Sequence, residues 1–444
     1  MSPTDATAQP GSLPASGPGS AAAKADNVDS RGRLLAADGT PLKASLARAL
    51  RREKLRAFML VAPLLFFILI SFVAPIADML FRSVENSIVP ETLPRTVVAL
   101  QDWDPTSGEA PDEPVFEALH ADLLVAVEQK IHTRLGSRLN YEESGMASLM
   151  RKTGRRVKRM ESGPYKEQFL KADEDWGDPA VWATIQRFSG NYTDGYFLSA
   201  VDMKRGPDGV EMKSDLDQIY LKLFWRTLLL SVTITFSCLL LGYPIAYLLA
   251  NLPMRTSNLL LILVLLPFWT SLLVRTSSWI VLLQQQGVIN DTLVAIGILS
   301  DDGRLSMMFN ETGTIIAMTH ILLPFMILPL YSVMKTINPS YVRAAKSLGA
   351  TDWTTFWRVY FPLSVPGIGA GAILVFILAI GYYITPELVG GTSGIFISNR
   401  IAYHISSSLN WGLAAALGVI LLGAVLILYY TYDRIVGIDN VKLG

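Results

Sequence analysis

Apolar positions along this chain gather into long runs instead of alternating. The first run, Ala57 to Phe81, is interrupted only by Pro63, Pro75 and Asp78. At 1.5 Å per residue it reaches roughly 37 Å, enough to cross a bilayer core of about 30 Å with some tilt. Five more runs follow at about 222–250, 259–283, 311–334, 367–389 and 411–433, each of spanning length. The pattern predicts an all-α integral membrane protein with six transmembrane helices. Between the first two runs, Arg82 to Leu221 is polar. There Val115, Phe116, Leu119, Leu123, Leu124, Val127 and Ile131 recur at helical spacing, and Pro179–Ile185 reads as a second short helix. A small, mostly helical insertion between helices 1 and 2 is expected.

Residues 1–42 are rich in Ala, Ser, Pro and Gly without apolar periodicity and read as a disordered tail. Residues 43–81 combine a basic amphipathic segment with the first transmembrane helix; the long preceding tail and the length of the run argue against a cleaved signal peptide. Basic residues set the orientation. Six precede the first run between Lys43 and Arg56. Arg255, then Lys335, Arg343, Lys346 and Arg358, then Arg434 and Lys442 mark the other inside segments. The outside loops hold only Arg304, among Asp291, Asp301 and Asp302, and Arg400. Both termini are expected to be cytoplasmic, with 82–221 an extracytoplasmic domain and 222–444 the membrane core. The basic cluster Arg151, Lys152, Arg155, Arg156, Lys158 and Arg159 reads as a solvated helix face rather than an anion site, because acids flank it.

Composition removes whole classes of function. Of 444 residues, 51% are hydrophobic and only 17% charged, against roughly 25% charged in soluble domains. Thirty-eight basic and thirty-eight acidic residues cancel, so no broad positive field exists to bind nucleic acid. A single cysteine, Cys238, and four scattered histidines support neither a disulfide framework, a metal cluster nor a nucleophilic triad. No G-x-x-x-x-G-K-[ST] phosphate loop occurs. Catalytic and metal-binding residues are therefore not expected, and energy for any transport must come from a partner chain or an ion gradient.

The most informative polar segment lies after the fourth run, Lys335 to Pro366. Asn338 suits an N-cap and Pro339 the first helical position. A short helix is expected to reach Leu348, where Gly349 can close it in a left-handed conformation. A second short helix is expected from Thr351–Asp352 to just before Pro362. Tyr341, Ala344, Ala345 and Leu348 share one face of the first helix, and the paired alanines let another backbone approach closely. Such a helix–elbow–helix unit has the shape of a plug for a groove in a soluble partner.

That loop, YVRAAKSLGATDWTTFWRVYFP, resembles the EAA loop of ABC-importer permeases, with Ala344, Ala345, Gly349, Val359, Phe361 and Pro362 at the matching positions. Arg343 stands where the family's loop usually carries glutamate, which puts the carboxylate's contact in doubt but not the plug's shape. The segments at 241–253, 265–290 and 362–391 resemble the spermidine/putrescine-type permeases, in the first-permease branch. The resemblance covers 57 to 444 and makes 335–366 the ATPase-coupling loop. It implies a type I importer in a bacterial inner membrane. This chain would work with a second permease subunit, two cytoplasmic ATPase subunits that bind ATP and Mg, and a periplasmic substrate-binding protein. No cofactor is implied in this chain. Polyamine is the substrate the resemblance favours; thiamine, ferric iron and organophosphonates are served by related permeases. A proton- or sodium-coupled transporter is the competing class; it predicts inverted repeats and paired midplane acids, and neither is visible in the sequence.

Charged groups inside a membrane are costly and mark pathways. Glu387 lies near the outer end of the fifth run, where Pro386 should disturb the helix, with Tyr382 and Tyr383 one turn before it. Two readings stand. Either the carboxylate and rings meet a polyammonium ion through ion pairing and cation–π contact, or Glu387 reaches interfacial water and the tyrosines belong to the aromatic belt. Arg275, deeper in the third run, would repel a cation and is expected to pair with a carboxylate or backbone carbonyl. Trp269 and Trp279 read as packing or interface anchors more readily than as substrate contacts, although Trp269, like Arg275, lies beside the candidate path.

Overall fold

The computed structural model describes residues 42–206 and 209–436. The tail at 1–41 and the basic Lys442 fall outside the described residues. The chain divides into two compact units, 1–77 and 78–444. In the first, helix α1 (Leu42–Ile68) begins well before the apolar run and passes through a π-helical turn, Leu69–Val73, into α2 (Ala74–Arg82). Within that turn the Ala74 N–H reaches back to the carbonyl of Leu69. The wider winding takes up the clash that Pro75 would otherwise make with the preceding turn.

The second unit opens with short helices between Ile88 and Ala200, closed by an antiparallel hairpin, β1 (Met203–Gly206) and β2 (Gly209–Met212). The expected helices are present at Glu113–Glu128 and Pro179–Arg187. The Asp178 side chain caps the second, accepting from the Ala180 N–H at 2.8 Å. Phe116, Phe169, Trp176 and Trp182 are fully buried in one core. Both indoles are satisfied: Trp176 donates to Thr153 at 2.8 Å and Trp182 to the Trp176 carbonyl at 2.9 Å. Half of the basic cluster serves this domain. Lys152 pairs with Asp173 at 2.7 Å, Arg156 donates to the carbonyls of Lys171 and Ala172, and Arg151 donates to that of Ala147.

The membrane core follows. Helix α3 (Tyr220–Asn251) packs along α4 (Glu311–Thr336), burying Leu230, Ile234 and Cys238 against Met318, Leu322 and Met326. A third helix, α5 (Phe361–Gly381), lies on α4 at very short range. A Cβ at Gly371 would come within 2.7 Å of the Met326 sulfur and 3.1 Å of its carbonyl, so only glycine permits this approach. The last helix is α6 (Trp411–Val436).

Two apolar runs differ from expectation. Run 259–283 is not one helix: Met254–Trp269 and Leu272–Ala295 meet at 95°. Among the described residues five helices are long and apolar enough to cross a membrane singly, and six if this bent pair counts as one span. Pro267 sits in a 3-10 turn at Leu266–Trp269, after which Thr270 and Ser271 are extended. A residue without an N–H followed by two extended residues leaves the ladder nothing to propagate through. Run 367–389 likewise ends early, at Gly381, and Ile384–Val389 forms a separate short helix. Pro386 does not cause the break. It occupies that helix's first turn, where its missing N–H was not needed.

Candidate coupling loop and transport path

The loop after α4 begins as the capping residues dictate. Helix α7 (Pro339–Ser347; loop and path helices are numbered on from α6) is capped by Asn338, whose side chain accepts from the Ser340 N–H at 2.9 Å. At its other end Ala350 donates to the Ala345 carbonyl at 3.1 Å and Gly349 to that of Lys346 at 3.0 Å. This is a Schellman closure, with Gly349 at φ +88°. Thr351 then caps α8 (Asp352–Thr355), accepting from the Thr354 N–H at 3.3 Å, and Lys346 pairs with Asp352 across the elbow.

The second helix does not stop before Pro362. It runs through a π turn, Phe356–Tyr360, straight into α5, and Asp352–Gly381 is one helical stretch. Pro362 is tolerated because it falls at the start of α5, directly after the wider π winding. The loop is thereby joined to a membrane helix without a hinge at that point.

Its faces divide sharply. Val342 and Phe356 pack on the core between α3 and α4, and Tyr360 is buried there. Ala345, Val359 and Phe361 are half-buried, while Tyr341, Arg343, Ala344, Gly349 and Pro362 are exposed. Leu348 is 90% exposed and Trp353 71%. Trp353, Trp357 and Phe361 form an i, i+4 aromatic ladder with ring centroids 5.6 and 5.0 Å apart. The two tryptophans were not singled out from the sequence, although their spacing signals them.

The transport-path candidates lie where helices break. Tyr382 is extended after α5 and half-buried, and Tyr383 is exposed, just before α9 (Ile384–Val389), which carries Glu387. The next helix, α10 (Ile397–Ser406), staples this break. Ser398 donates to the Tyr382 carbonyl at 2.6 Å, and Asn399 donates to the Tyr383 carbonyl at 2.9 Å and to Glu387 Oε2 at 2.6 Å. Glu387 is exposed yet held at one oxygen. The helix at Leu272–Leu283 sits alongside, its Thr276 hydroxyl 3.3 Å from that of Thr385.

One expectation about that neighbouring helix needs correction. Trp269 is 88% exposed and Trp279 is half-buried, donating to His320 Nδ1 at 3.1 Å; the pairing expected of Arg275 is not found. Arg275 has found neither carboxylate nor carbonyl: its Nε and Nη1 are buried without a hydrogen-bond partner among the described residues.

A third junction was invisible in sequence. Asp202, fully buried, accepts the N–H groups of Ile219 and Tyr220 at 3.1 Å and of Leu221 at 2.7 Å. It caps α3 from seventeen or more residues away, tying the polar domain to the membrane core. Tyr196 and Ala200 extend this joint by packing with Leu413 and Leu417 of α6.

The family model described as "binding-protein-dependent transport system inner membrane component" matches residues 241–436, which contain both the loop and the path. The spermidine/putrescine transport system permease protein PotB of Salmonella typhimurium (strain SL1344) is 36% identical over 223 residues, covering 50% of this chain and 77% of that protein. PotB of Haemophilus influenzae is 39% identical over 214 residues, covering 48% and 74%. Among solved structures, a chain of a bacterial ABC transporter involved in import of the acidic polysaccharide alginate is 19% identical, covering 52% of this chain and 81% of that one, with a TM-score of 0.41.

Proposed function

The chain belongs to the binding-protein-dependent transport system inner membrane components, and from that premise we propose that its cargo is a polyamine of the spermidine/putrescine class. It is a multi-pass inner-membrane permease subunit, a transport component rather than an enzyme. Substrate passes from a periplasmic binding protein, through this chain and a second permease subunit, to the cytoplasm. Two cytoplasmic ATPase subunits bind ATP and Mg. Both termini are cytoplasmic, the bent pair counts as one of six spans, and residues 82–221 lie outside, where the binding protein docks.

The observation that carries this reading is the loop from Asn338 to Pro362. Its apolar side chains Leu348 and Trp353 project outward, and its second helix is continuous with a membrane helix. Such a unit transmits force from a soluble motor into the bilayer. On the path side, the free oxygen of Glu387 beside Tyr383 offers charge and a ring face to an ammonium group.

The test is the assembled transporter in lipid nanodiscs with its ATPase and binding protein. Spermidine or putrescine is expected to stimulate ATP hydrolysis, and Glu387→Gln to lower spermidine uptake about five-fold, as loss of about 1 kcal/mol of ion pairing would. The amide can still accept from Asn399, so assembly is retained. Stimulation by thiamine, ferric iron or an organophosphonate but not by polyamines would replace the substrate. No stimulation by any solute, with uptake driven instead by an ion gradient, would remove the class.

A further inference from the structure

The family model begins at residue 241, so Asp202, Tyr220 and Thr227 lie ahead of the matched region. The first two turns of α3 are nevertheless bonded to both ends of α10, which lies within it. Tyr220 shares a hydrogen bond with His404 Nε2 at 2.9 Å, and the Thr227 hydroxyl accepts from the Ile397 N–H at 2.8 Å. Both intervals are seven residues, two helical turns, taken in opposite directions along the two helices. Arg226 adds a third point, donating to the Thr392 carbonyl at 2.9 Å in the loop that leads into α10. Tyr220, Thr227, Ile397 and His404 are all buried, so α10 cannot slide or turn against α3 without orphaning buried polar groups. Before this pairing stands Asp202, which holds the start of α3 to the polar domain. After it stand Ser398 and Asn399, which hold the break that carries Glu387. The domain's other attachment, Tyr196 and Ala200 on α6, is apolar packing, which is not directional.

We propose that Tyr220 and Asn399 are positioning residues for transport, and that α10 between them makes the placement of Glu387 depend on the polar domain. A displacement of the domain moves the first turns of α3 and α10 as one body, and Asn399 delivers it to the carboxylate. The proposal rests on the reading that the binding protein docks on residues 82–221 and that Glu387 meets the cargo. Docking then reaches Glu387 through a chain of directional bonds, the kind of link that has discrete arrangements.

Hydrogen exchange on the full transporter in nanodiscs, with spermidine-loaded binding protein added, tests it. In the wild type, protection of residues 88–200 is expected together with changed exchange at 384–390 and 397–406. Tyr220→Phe keeps the ring and loses the bond to His404; it should retain the protection and lose both other responses. Its hydrolysis without binding protein should match the wild type, and the stimulated rate should fall about five-fold, as loss of one buried hydrogen bond would produce. Tyr403→Phe, at an exposed ring beside His404, should behave as the wild type. Asn399→Asp cuts the far end: its carboxylate still accepts from the Phe396 N–H, 3.0 Å from Oδ1 of the asparagine, but donates nothing to Glu387. There 397–406 should respond to docking and 384–390 should not. A response at 384–390 that survives either Tyr220→Phe or Asn399→Asp overturns the proposal. So does a wild type in which 88–200 is protected and 384–390 is unmoved, or an equal loss of stimulation in Tyr403→Phe. Failure of the docking reading is seen separately, as a wild type whose residues 88–200 gain no protection, and failure of the substrate reading as stimulation by a solute other than a polyamine.

Discussion

Two polar stretches of this chain are built alike and end differently. Residues 88–200 and residues 338–361 both consist of short helices joined by tight turns and both carry tryptophans. In the first, Trp176 and Trp182 are fully buried and hydrogen-bonded. In the second, Trp353 and Leu348 face outward and only Val342, Phe356 and Tyr360 reach the core. The longer stretch has enough chain to enclose its apolar side chains; the shorter one has two helices and a membrane surface behind it. A folded domain satisfies itself. On the coupling role proposed above, the second stretch leaves its apolar face for another subunit to cover, so that large exposed side chains would mean function there and misfolding in the first.

The comparison is most severely tested by truncating a tryptophan in each. Trp176→Ala should destabilise the polar domain by about 3–5 kcal/mol, read as early thermal loss of that domain's structure. Trp353→Ala should change stability by no more than about 0.5 kcal/mol yet weaken capture of the ATPase. Equal destabilisation by both would erase the distinction.

The alanine pair sharpens it next. Ala344 is exposed and Ala345 half-buried, so Ala344→Glu isolates docking, whereas Ala345→Glu disturbs the loop's own packing as well. Ala344→Glu should lower ATPase association about ten-fold or more, measured by co-purification, with membrane insertion unchanged. Retained association would move the docking face elsewhere. Gly349→Val follows. No atom would meet the new Cβ, so the cost is backbone strain alone, about 1–2 kcal/mol at positive φ. Substrate-stimulated hydrolysis should fall, and Gly349→Asn, which tolerates that conformation, should restore most of it.

The smallest effect concerns the joint beneath the polar domain. His404 is buried, bonded to the Tyr220 hydroxyl at 2.9 Å and to Ser408 at 2.8 Å. Burial first, then the nearby Arg400 charge, holds its pKa down to about 4. Tyr141 and Tyr403 complete its surroundings. In the unfolded chain this histidine takes up its proton near pH 6.5, so the joint is at full stability above that value and loses it as pH falls toward 4. Hydrogen exchange in residues 195–201 and 397–406, corrected for intrinsic rate, should quicken between pH 7 and 5, and His404→Gln should flatten that dependence.

Much of this was written locally. The apolar runs located the membrane helices, because a bilayer demands length and hydrophobicity that no other fold needs. Asn338, Pro339, Gly349 and Thr351 specified both ends of the elbow, since each cap acts within four residues of itself. What sequence could not decide lay beyond that range. Pro267 was visible, but a proline within an apolar run can bend a helix, break it or be absorbed, as Pro75 is; packing chooses among these. The continuity of the loop with α5 depended on a π turn that no residue type announces. Asp202 caps a helix that starts eighteen residues later, and Asn399 holds a carboxylate twelve residues before it. Arg275 shows the same limit from the other side. Its charge was legible in the sequence, but that its Nε and Nη1 find no hydrogen-bond partner among the described residues emerged only when the surrounding helices were in place, because a counter-charge is a property of space and not of sequence separation.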